Sequence, residues 1–285
     1  MIFLGRRHPD WLKVKIGGGA DFFKMKSLLR SAKLHTICEE ARCPNIAECF
    51  NCGTAVFLIL GDTCTRNCRY CNVKHGRPIP LNFNEPRDVA ESVKKLGLKY
   101  VVITSVTRDD LSDGGAGVFY DCVKEVKKLK KYCKVEVLIP DFKGSKKALE
   151  KIVDSKPDVI NHNIEVVEEL FSDIRPEGNY KISLQVLKNI KKIDANMKSK
   201  SGFMIGLGET NDQIVKTMRD LKNADVDFLT IGQYLQPTRD HAEIKKYYTP
   251  DEFQEFKQLA LDLGFRHVES GPLVRSSYHA EKVFY

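Results

Sequence analysis

AVFLILGDTCTRNCRYC, residues 55–71, runs a short apolar stretch straight into three cysteines. The stretch reads as a strand buried on both faces, the form that parallel strands take. Cys64, Cys68 and Cys71 follow at C-x3-C-x2-C in the loop that leaves it. Iron–sulfur clusters and structural zinc ordinarily take four protein ligands, so this loop is one ligand short. The rest of the chain must supply a fourth side chain or a reason for leaving one position open.

Downstream the strand pattern repeats. Apolar runs recur at YVVITSV (100–106), KVEVLIP (134–140), DVINHNIE (158–165), SGFMIGLG (201–208) and DFLTIGQYL (227–235), with FRHVESG (265–271) as a short last candidate. Helical patterns lie between them, at 86–97, 117–132, 180–193, 210–224 and 249–264. The last has Thr249 as N-cap, Asp251 and Glu252 in its first turn and Gly264 at its end. Six strand–helix units in sequence predict an α/β fold with a parallel sheet and right-handed crossovers. Six units fall short of the eight of a closed TIM barrel, so a partial (β/α)6 barrel is expected. Counting alone leaves a doubly wound sheet open. Both folds build their sites at the C-terminal ends of strands, which puts the cysteine loop at a catalytic address.

The 285 residues carry 46 Lys and Arg against 38 Asp and Glu, a net charge of +8 that suits an acidic partner. Much of the excess lies in segments such as KEVKKLKKYCK (124–134), which read as solvated helix faces. No apolar run approaches the ~20 residues that cross a bilayer. The apolar start MIFL is too short for a secretory signal, so a cytoplasmic location is expected. In that compartment nine cysteines point to metal or catalysis, not to disulfides.

Six of the nine form two triplets, the second being Cys38, Cys43 and Cys49 at C-x4-C-x5-C. Cys52 stands close by, while Cys122 and Cys133 read as packing residues. A zinc ribbon could pair Cys49 and Cys52 with Cys68 and Cys71, but it would strand Cys38, Cys43 and Cys64. His35 and His75 fall at no familiar zinc spacing. A ferredoxin would use C-x2-C-x2-C and would have no need of the roughly two hundred residues that follow.

The other strand ends are polar or glycine-rich. TSVTRDDLSDGGAG (104–117) offers hydroxyls, acids and a tight turn. NHNIE (161–165) would put Asn161, Asn163 and Glu165 on one face of a strand and His162 on the other. GLGET (206–210) would let a backbone approach a ligand, and QYLQPTRDH (233–241) adds amides, Arg239 and His241. Together they describe a pocket for a polar cofactor.

C-x3-C-x2-C with Tyr70 before the last cysteine, after the first strand of a partial barrel, resembles the radical S-adenosylmethionine family. The resemblance implies a 4Fe–4S cluster on Cys64, Cys68 and Cys71 whose fourth iron is open to the amino and carboxylate groups of S-adenosylmethionine. Reductive cleavage then gives a 5′-deoxyadenosyl radical able to take hydrogen from an unactivated carbon. Within that family, the Cys38–Cys43–Cys49 motif, TSVTRDDLSDGGA, NHNIE, IRPEGNY (174–180), KSGFMIGLGET, QYLQPTRDH and VRSSYHA (274–280) resemble the lipoyl synthases along nearly the whole chain. What that implies is sulfur insertion at the sixth and eighth carbons of an octanoyl group carried on a lysine, with an auxiliary 4Fe–4S cluster as sulfur donor. The substrates implied are octanoylated lipoyl carrier domains, of 2-oxoacid dehydrogenase E2 subunits and the glycine cleavage H protein, with an external electron donor.

The resemblance also assigns residues. The auxiliary cluster would use Cys38, Cys43, Cys49 and, as an oxygen ligand with a catalytic part in releasing sulfur, Ser277. On ligand chemistry alone Cys52 competes for that fourth place, since thiolate suits such clusters better. Thr104 and Ser105 would hold the methionine amine, Asn163 and Glu165 the ribose hydroxyls, and Arg175 and Arg275 the substrate or the C-terminal segment. The layout implied is an extension over residues 1–53 carrying the auxiliary cluster, a barrel over 54–264, and a segment over 265–285 that folds back to cap the barrel mouth. A monomer that binds neither nucleic acid nor membrane is expected. Two other classes stand beside this reading. A radical methylthiotransferase would suit the positive charge through an RNA substrate, but it shares only the radical motif and usually adds an RNA-binding domain. A simple electron carrier would leave the pocket residues and RSSYHA without a purpose.

Overall fold

Seven strands lie side by side in the order in which the chain makes them. They are β1 (Val56–Ile59), β2 (Tyr100–Ser105), β3 (Lys134–Leu138), β4 (Val159–Asn161), β5 (Lys198–Ile205), β6 (Phe228–Gln233) and β7 (His267–Gly271). Each pairs in parallel with the next. The computed structural model describes residues 9–13, 18–19, 22–23, 26–27, 29, 34–41, 43–51, 56–278 and 280–284. A doubly wound sheet would reverse its order at a switch point. This sheet has no reversal, so the partial barrel is the fold, and the short FRHVESG candidate adds a seventh parallel strand. A two-residue strand, His35–Thr36, lies antiparallel on the outer edge of β1.

The crossovers carry α1 (Glu85–Lys95), α2 (Ala116–Leu129), α3 (Lys146–Asp154), α4 (Glu168–Ile174), α5 (Tyr180–Ile193), α6 (Asn211–Asn223) and α7 (Pro250–Asp262). Both α6 and α7 open with full capping boxes, Thr210 with Gln213 and Thr249 with Glu252. The sequence patterns give no helix between β3 and β4, yet α3 is there. Ser145 caps it by accepting from Ala148 N, and it buries Ala148, Leu149, Ile152 and Val153 against α2 and α5. It is only nine residues long, so packing and not length sustains it. Strand β4 is shorter than expected. It stops at Asn161, so the alternation foreseen for NHNIE ends there, and Glu165 adopts a left-handed backbone at φ 71°.

Inside the barrel a polar cluster replaces apolar packing. The Glu136 carboxylate accepts from Lys200 Nζ at 3.1 and 3.2 Å, from Asn161 Nδ2 at 3.0 Å and from the Tyr100 hydroxyl at 2.5 Å. Burial, reinforced by Glu136, pushes the Tyr100 hydroxyl far above its ordinary range and keeps it a donor.

A second buried group positions the cysteine loop. Arg66 forks onto Asp109 at 2.7 and 3.0 Å and onto Asp141 at 2.7 Å through each terminal nitrogen. The loops after β1, β2 and β3 are thereby joined through one guanidinium. Burial alone would raise the Asp141 carboxyl, but Arg66 more than reverses this and holds it at about 2.

The C-terminal segment does more than cap the mouth. Residues 271–278 lie there: Asn45 Nδ2 donates to Leu273 O at 2.6 Å, Asn163 Nδ2 to Ser276 Oγ at 2.5 Å, and the Tyr278 hydroxyl to Glu48 at 3.0 Å. The close approach needs Gly232 on β6, where a Cβ would stand 2.2 Å from Val274 O. The final turn, Ala280–Phe284, reaches the opposite end of the barrel. There the Phe284 ring lies 5.9 Å from that of Tyr100 and within 5.2 and 4.0 Å of Lys134 and Lys198, the first residues of β2, β3 and β5. The expected boundary between extension and barrel, with Cys52, lies outside the described residues.

Two outcomes follow from these buried charges. Glu136→Ala leaves Lys200 and Asn161 unpaired in the barrel and should cost about 3–5 kcal/mol in urea unfolding, while Glu136→Leu with Lys200→Met should recover most of it. Asp141 has a folded pKa below its unfolded one, so its pairing stabilises fully above the unfolded value and is lost as pH falls toward the folded value. Asp141→Asn should cost about 2 kcal/mol at pH 7, and the difference from wild type should have largely vanished by about pH 1.5.

Candidate functional site

Cys64 ends a two-residue strand, Thr63–Cys64, that pairs with Lys74–His75 and turns the loop back over the barrel mouth. Its sulfur accepts backbone N–H groups from Arg66 at 3.4 Å and Thr107 at 3.3 Å. Such donors tune an iron–sulfur cluster. Cys68 and Cys71 are joined by a turn, Cys71 N to Cys68 O at 3.0 Å. Neighbouring loops hold this turn in place. Arg69 N donates to Ile174 O at the end of α4, and Ala242 N donates to Arg69 O. His241 Nε2 meets Cys71 O at 3.0 Å, and its other ring nitrogen meets the Thr238 hydroxyl at 2.8 Å.

All three cysteines are half-buried. Burial pushes Cys71 up to about 12 and Cys68 to about 11, with Arg175 opposing the rise at Cys68. A nucleophilic cysteine needs the reverse shift. Coordination to iron removes such a proton outright, so these thiols fit a metal cluster and not a free nucleophile. Among the described residues no three His, Cys, Asp or Glu side chains converge tightly enough for a single metal ion. A cubane spreads its ligands over separate corners and does not ask for that convergence.

Around the triad the mouth holds polar atoms without partners. They are Ser105 Oγ, His162 Nε2, Asn163 Oδ1 and Arg175 Nε, all buried. Buried polar groups are normally paired, so this set marks where a polar ligand fits. Of the two hydroxyls expected to meet a cofactor, Thr104 spends its own on Leu138 O at 3.0 Å, and Ser105 keeps its own unspent. Arg175 reaches Asn163 O at 3.3 Å and stacks 5.0 Å over Phe171. Burial opposes its charge, but Tyr70, Glu165 and Cys68 outweigh burial and leave its pKa raised. Glu165 is raised by burial, with Arg175, Asn163 and Tyr70 pulling back. Asn163, Glu165, Arg175, Tyr70 and Cys68 thus share one electrostatic neighbourhood.

The auxiliary residues meet elsewhere. Cys38, Cys43, Cys49, Arg275 and Ser277 line one small pocket, with Val56 at its floor. Ser277 therefore reaches the cysteines although it is far from them in sequence. Thr36 caps the short helix Ile37–Glu40 that carries Cys38, and Ile46–Asn51 carries Cys49. Burial raises Cys38 to about 12 and raises Cys43 as well, the same signature as in the first triad. The donor set of three thiols and one hydroxyl fits a 4Fe–4S cluster. The two triads are neighbours: Asn72, next to Cys71, donates to Glu40 O at 2.9 Å. Arg175 and Arg275, paired in expectation as substrate contacts, separate here, one beside the radical triad and one in the auxiliary pocket.

Some readings change. In GLGET, Gly206 packs against protein and Gly208 is exposed. Gly206, at φ 112°, leaves room for Gln233 Nε2 and Lys246 O, and the Glu209 carboxylate caps the N–H groups of Gly206 and Leu207. His162 was placed on the face opposite Asn163, but both are buried near Arg175. Burial and Arg175 drive His162 down to about 4, and Nδ1 meets Ile139 O at 2.9 Å. The imidazole is thus neutral at pH 7. The Arg66 clamp has no signal in spacing, because its partners are 43 and 75 residues away.

Residues 58–221 match the radical SAM superfamily, and residues 5–43 match the N-terminal domain of lipoyl synthase of the radical SAM family. The lipoyl synthase of Caldicellulosiruptor bescii is 54% identical over 96% of this chain and 94% of its own length. That of Rubrobacter xylanophilus is 53% identical over 96% and 85%. Among solved structures, methylornithine synthase overlays with a TM-score of 0.52 at 14% identity, over 89% of this chain and 83% of its own, which speaks for the fold alone. On motifs, pocket and full-length identity, the chain belongs to the lipoyl synthase family of the radical SAM superfamily.

Proposed function

We propose that this chain inserts two sulfur atoms into a protein-bound octanoyl group, at its sixth and eighth carbons, to give the lipoyl group. It is a radical SAM enzyme of lipoate biosynthesis that acts on lipoyl carrier proteins. The observation that carries the residue-level reading is the pocket that gathers Cys38, Cys43, Cys49 and Ser277. A radical enzyme with one cluster would have no use for that convergence.

In this reading Cys64, Cys68 and Cys71 hold the cluster that binds S-adenosylmethionine, and Cys38, Cys43, Cys49 and Ser277 hold the auxiliary one. When bound, these groups supply a carbon-centred radical and the sulfur atoms. The chain's own part is to bind, orient and keep water out. Ser105 and Thr104, at the end of β2, face the amino-acid end of the cofactor, Ser105 through its unspent hydroxyl and Thr104 by anchoring to β3. Asn163 and Glu165 take the ribose hydroxyls, and the left-handed backbone at Glu165 aims its carboxylate back at Arg175. Arg175 supplies fixed positive charge beside Cys68, which offsets the thiolates' negative charge. Arg275, its charge disfavoured by burial and supported by Cys43, does the same for the auxiliary pocket and ties the C-terminal segment to it. The hydroxyl of Ser277 would be the weakest donor of its set, an oxygen ligand that would hold its corner of the cluster less firmly than the three thiols.

The carriers we expect are E2 subunits of 2-oxoacid dehydrogenases and the glycine cleavage H protein, with a separate protein as electron donor. We read the enzyme as a cytoplasmic monomer that engages neither nucleic acid nor membrane. No described helix is long and apolar enough to cross a membrane.

Anaerobic reconstitution followed by iron and sulfide analysis tests the cluster assignments. Wild type should hold about eight irons, and Cys68→Ala about four, with no 5′-deoxyadenosine formed from S-adenosylmethionine. Ser277→Cys should keep about eight irons and still cleave S-adenosylmethionine, while sulfur insertion into an octanoyl-lysine peptide falls by about tenfold or more. Normal lipoyl formation by that variant would remove Ser277 from the ligand set.

A further inference from the structure

The segment between the radical triad and α1 is built to be touched. It reads KHGRPIPLNFN over residues 74–84 and contains no acidic residue. Lys74, His75 and Arg77 are all exposed along it. Two large apolar side chains stand in water beside them, Ile79 at 63% and Phe83 at 91% exposure. Leu81, midway between, turns the other way and packs on the core.

The segment is also stiff. Pro78 and Pro80 flank Ile79 and fix its neighbours' φ angles. The Asn82 side chain accepts from Asn84 N at 3.0 Å and Asn82 O from Glu85 N at 3.1 Å, closing the turn that shows Phe83. At the other end, Lys74–His75 pairs with Thr63–Cys64, and Gly76 N donates to Cys64 O at 2.9 Å. The patch is thus fastened to the radical triad itself. Scattered exposed apolar residues are ordinary, but a rigid run of them beside cations, hydrogen-bonded to a catalytic loop, is what a docking surface requires. Rigidity matters because a preordered surface loses little freedom on binding.

We propose that Arg77, Ile79 and Phe83 form the docking surface for the lipoyl carrier domain, and that they meet an acidic and apolar face of it beside its octanoyl-lysine. This rests on the function proposed above. A carrier must hold its acyl arm in the barrel mouth while its folded body stays outside, so its footprint has to adjoin the mouth. The net charge of +8 and the acid-free run both select an acidic partner over a basic one.

The test compares two substrates in reconstituted enzyme: an octanoylated lipoyl carrier domain and a short octanoyl-lysine peptide that lacks the carrier's surface. The Ile79→Ser, Phe83→Ser double variant and Arg77→Glu should each raise KM for the carrier by about tenfold. Peptide turnover and iron content should stay at wild-type values. Added salt should raise the carrier KM of wild type more than that of Arg77→Glu. Unchanged carrier KM in both variants, or equal losses with carrier and peptide, overturns the docking surface. Absence of sulfur insertion into either substrate by wild type overturns the function on which it rests, and the surface with it.

Discussion

An open sheet has two edges, and a strand edge left bare presents unpaired N–H and C=O groups. That constraint shapes this molecule more than any other. A partial barrel cannot cure it by closing on itself, so other parts of the chain must cover its rim. Thr36 pairs with Phe57 on the edge of β1, and the short helix that begins one residue later carries Cys38. Edge protection and cluster placement are therefore one event. The C-terminal segment passes Gly232 at the mouth, meets Asn45 on the extension and ends against the first residues of β2, β3 and β5. The same covering brings Ser277 to the pocket.

Charge is distributed by a similar logic. The barrel interior and its mouth are both polar, but they are finished differently. Glu136 in the interior has its partners in Lys200, Asn161 and Tyr100, with Asn161 Oδ1 the one orphaned atom of that cluster among the described residues. At the mouth the orphaned atoms of Ser105, His162, Asn163 and Arg175 leave the accounts open. A paired buried network rigidifies, and an unpaired one waits for a ligand. The Arg66 clamp stands between the two, with every nitrogen of its fork engaged and its loop tied to the loops after β2 and β3.

Much of this was legible in the residues. Parallel strands buried on both faces announce themselves as apolar runs, and the seven observed strands fall inside the runs read from sequence or overlap them. Three cysteines in a loop after such a run mark a ligand site without any structure. The expectation that Ser277 meets Cys38, Cys43 and Cys49 came from family resemblance, since ligand chemistry alone preferred Cys52. What escaped was whatever depends on three dimensions. Helix α3 escaped because it is only nine residues long, although Ala148, Leu149, Ile152 and Val153 do recur at helical spacing. The Arg66 clamp escaped because long-range ion pairs leave no spacing rule. The packing of Gly206 on Gln233 escaped because a glycine that admits a ligand and one that admits a side chain look alike in sequence.

The path of the chain also fixes an order of events in the life of the protein. Synthesis proceeds from the N-terminus, so the thiols of both triads exist before any of β2 to β7 has been made. Ser277 arrives only after all of those strands. The auxiliary pocket joins residues of such distant birth that its contacts are among the last that folding can form. Until then six thiols lie uncovered on a nascent chain, open to oxidation and to stray metals. Assembly of the clusters is thereby tied to a finished barrel, and the cell that makes this protein must guard its cysteines in the interval.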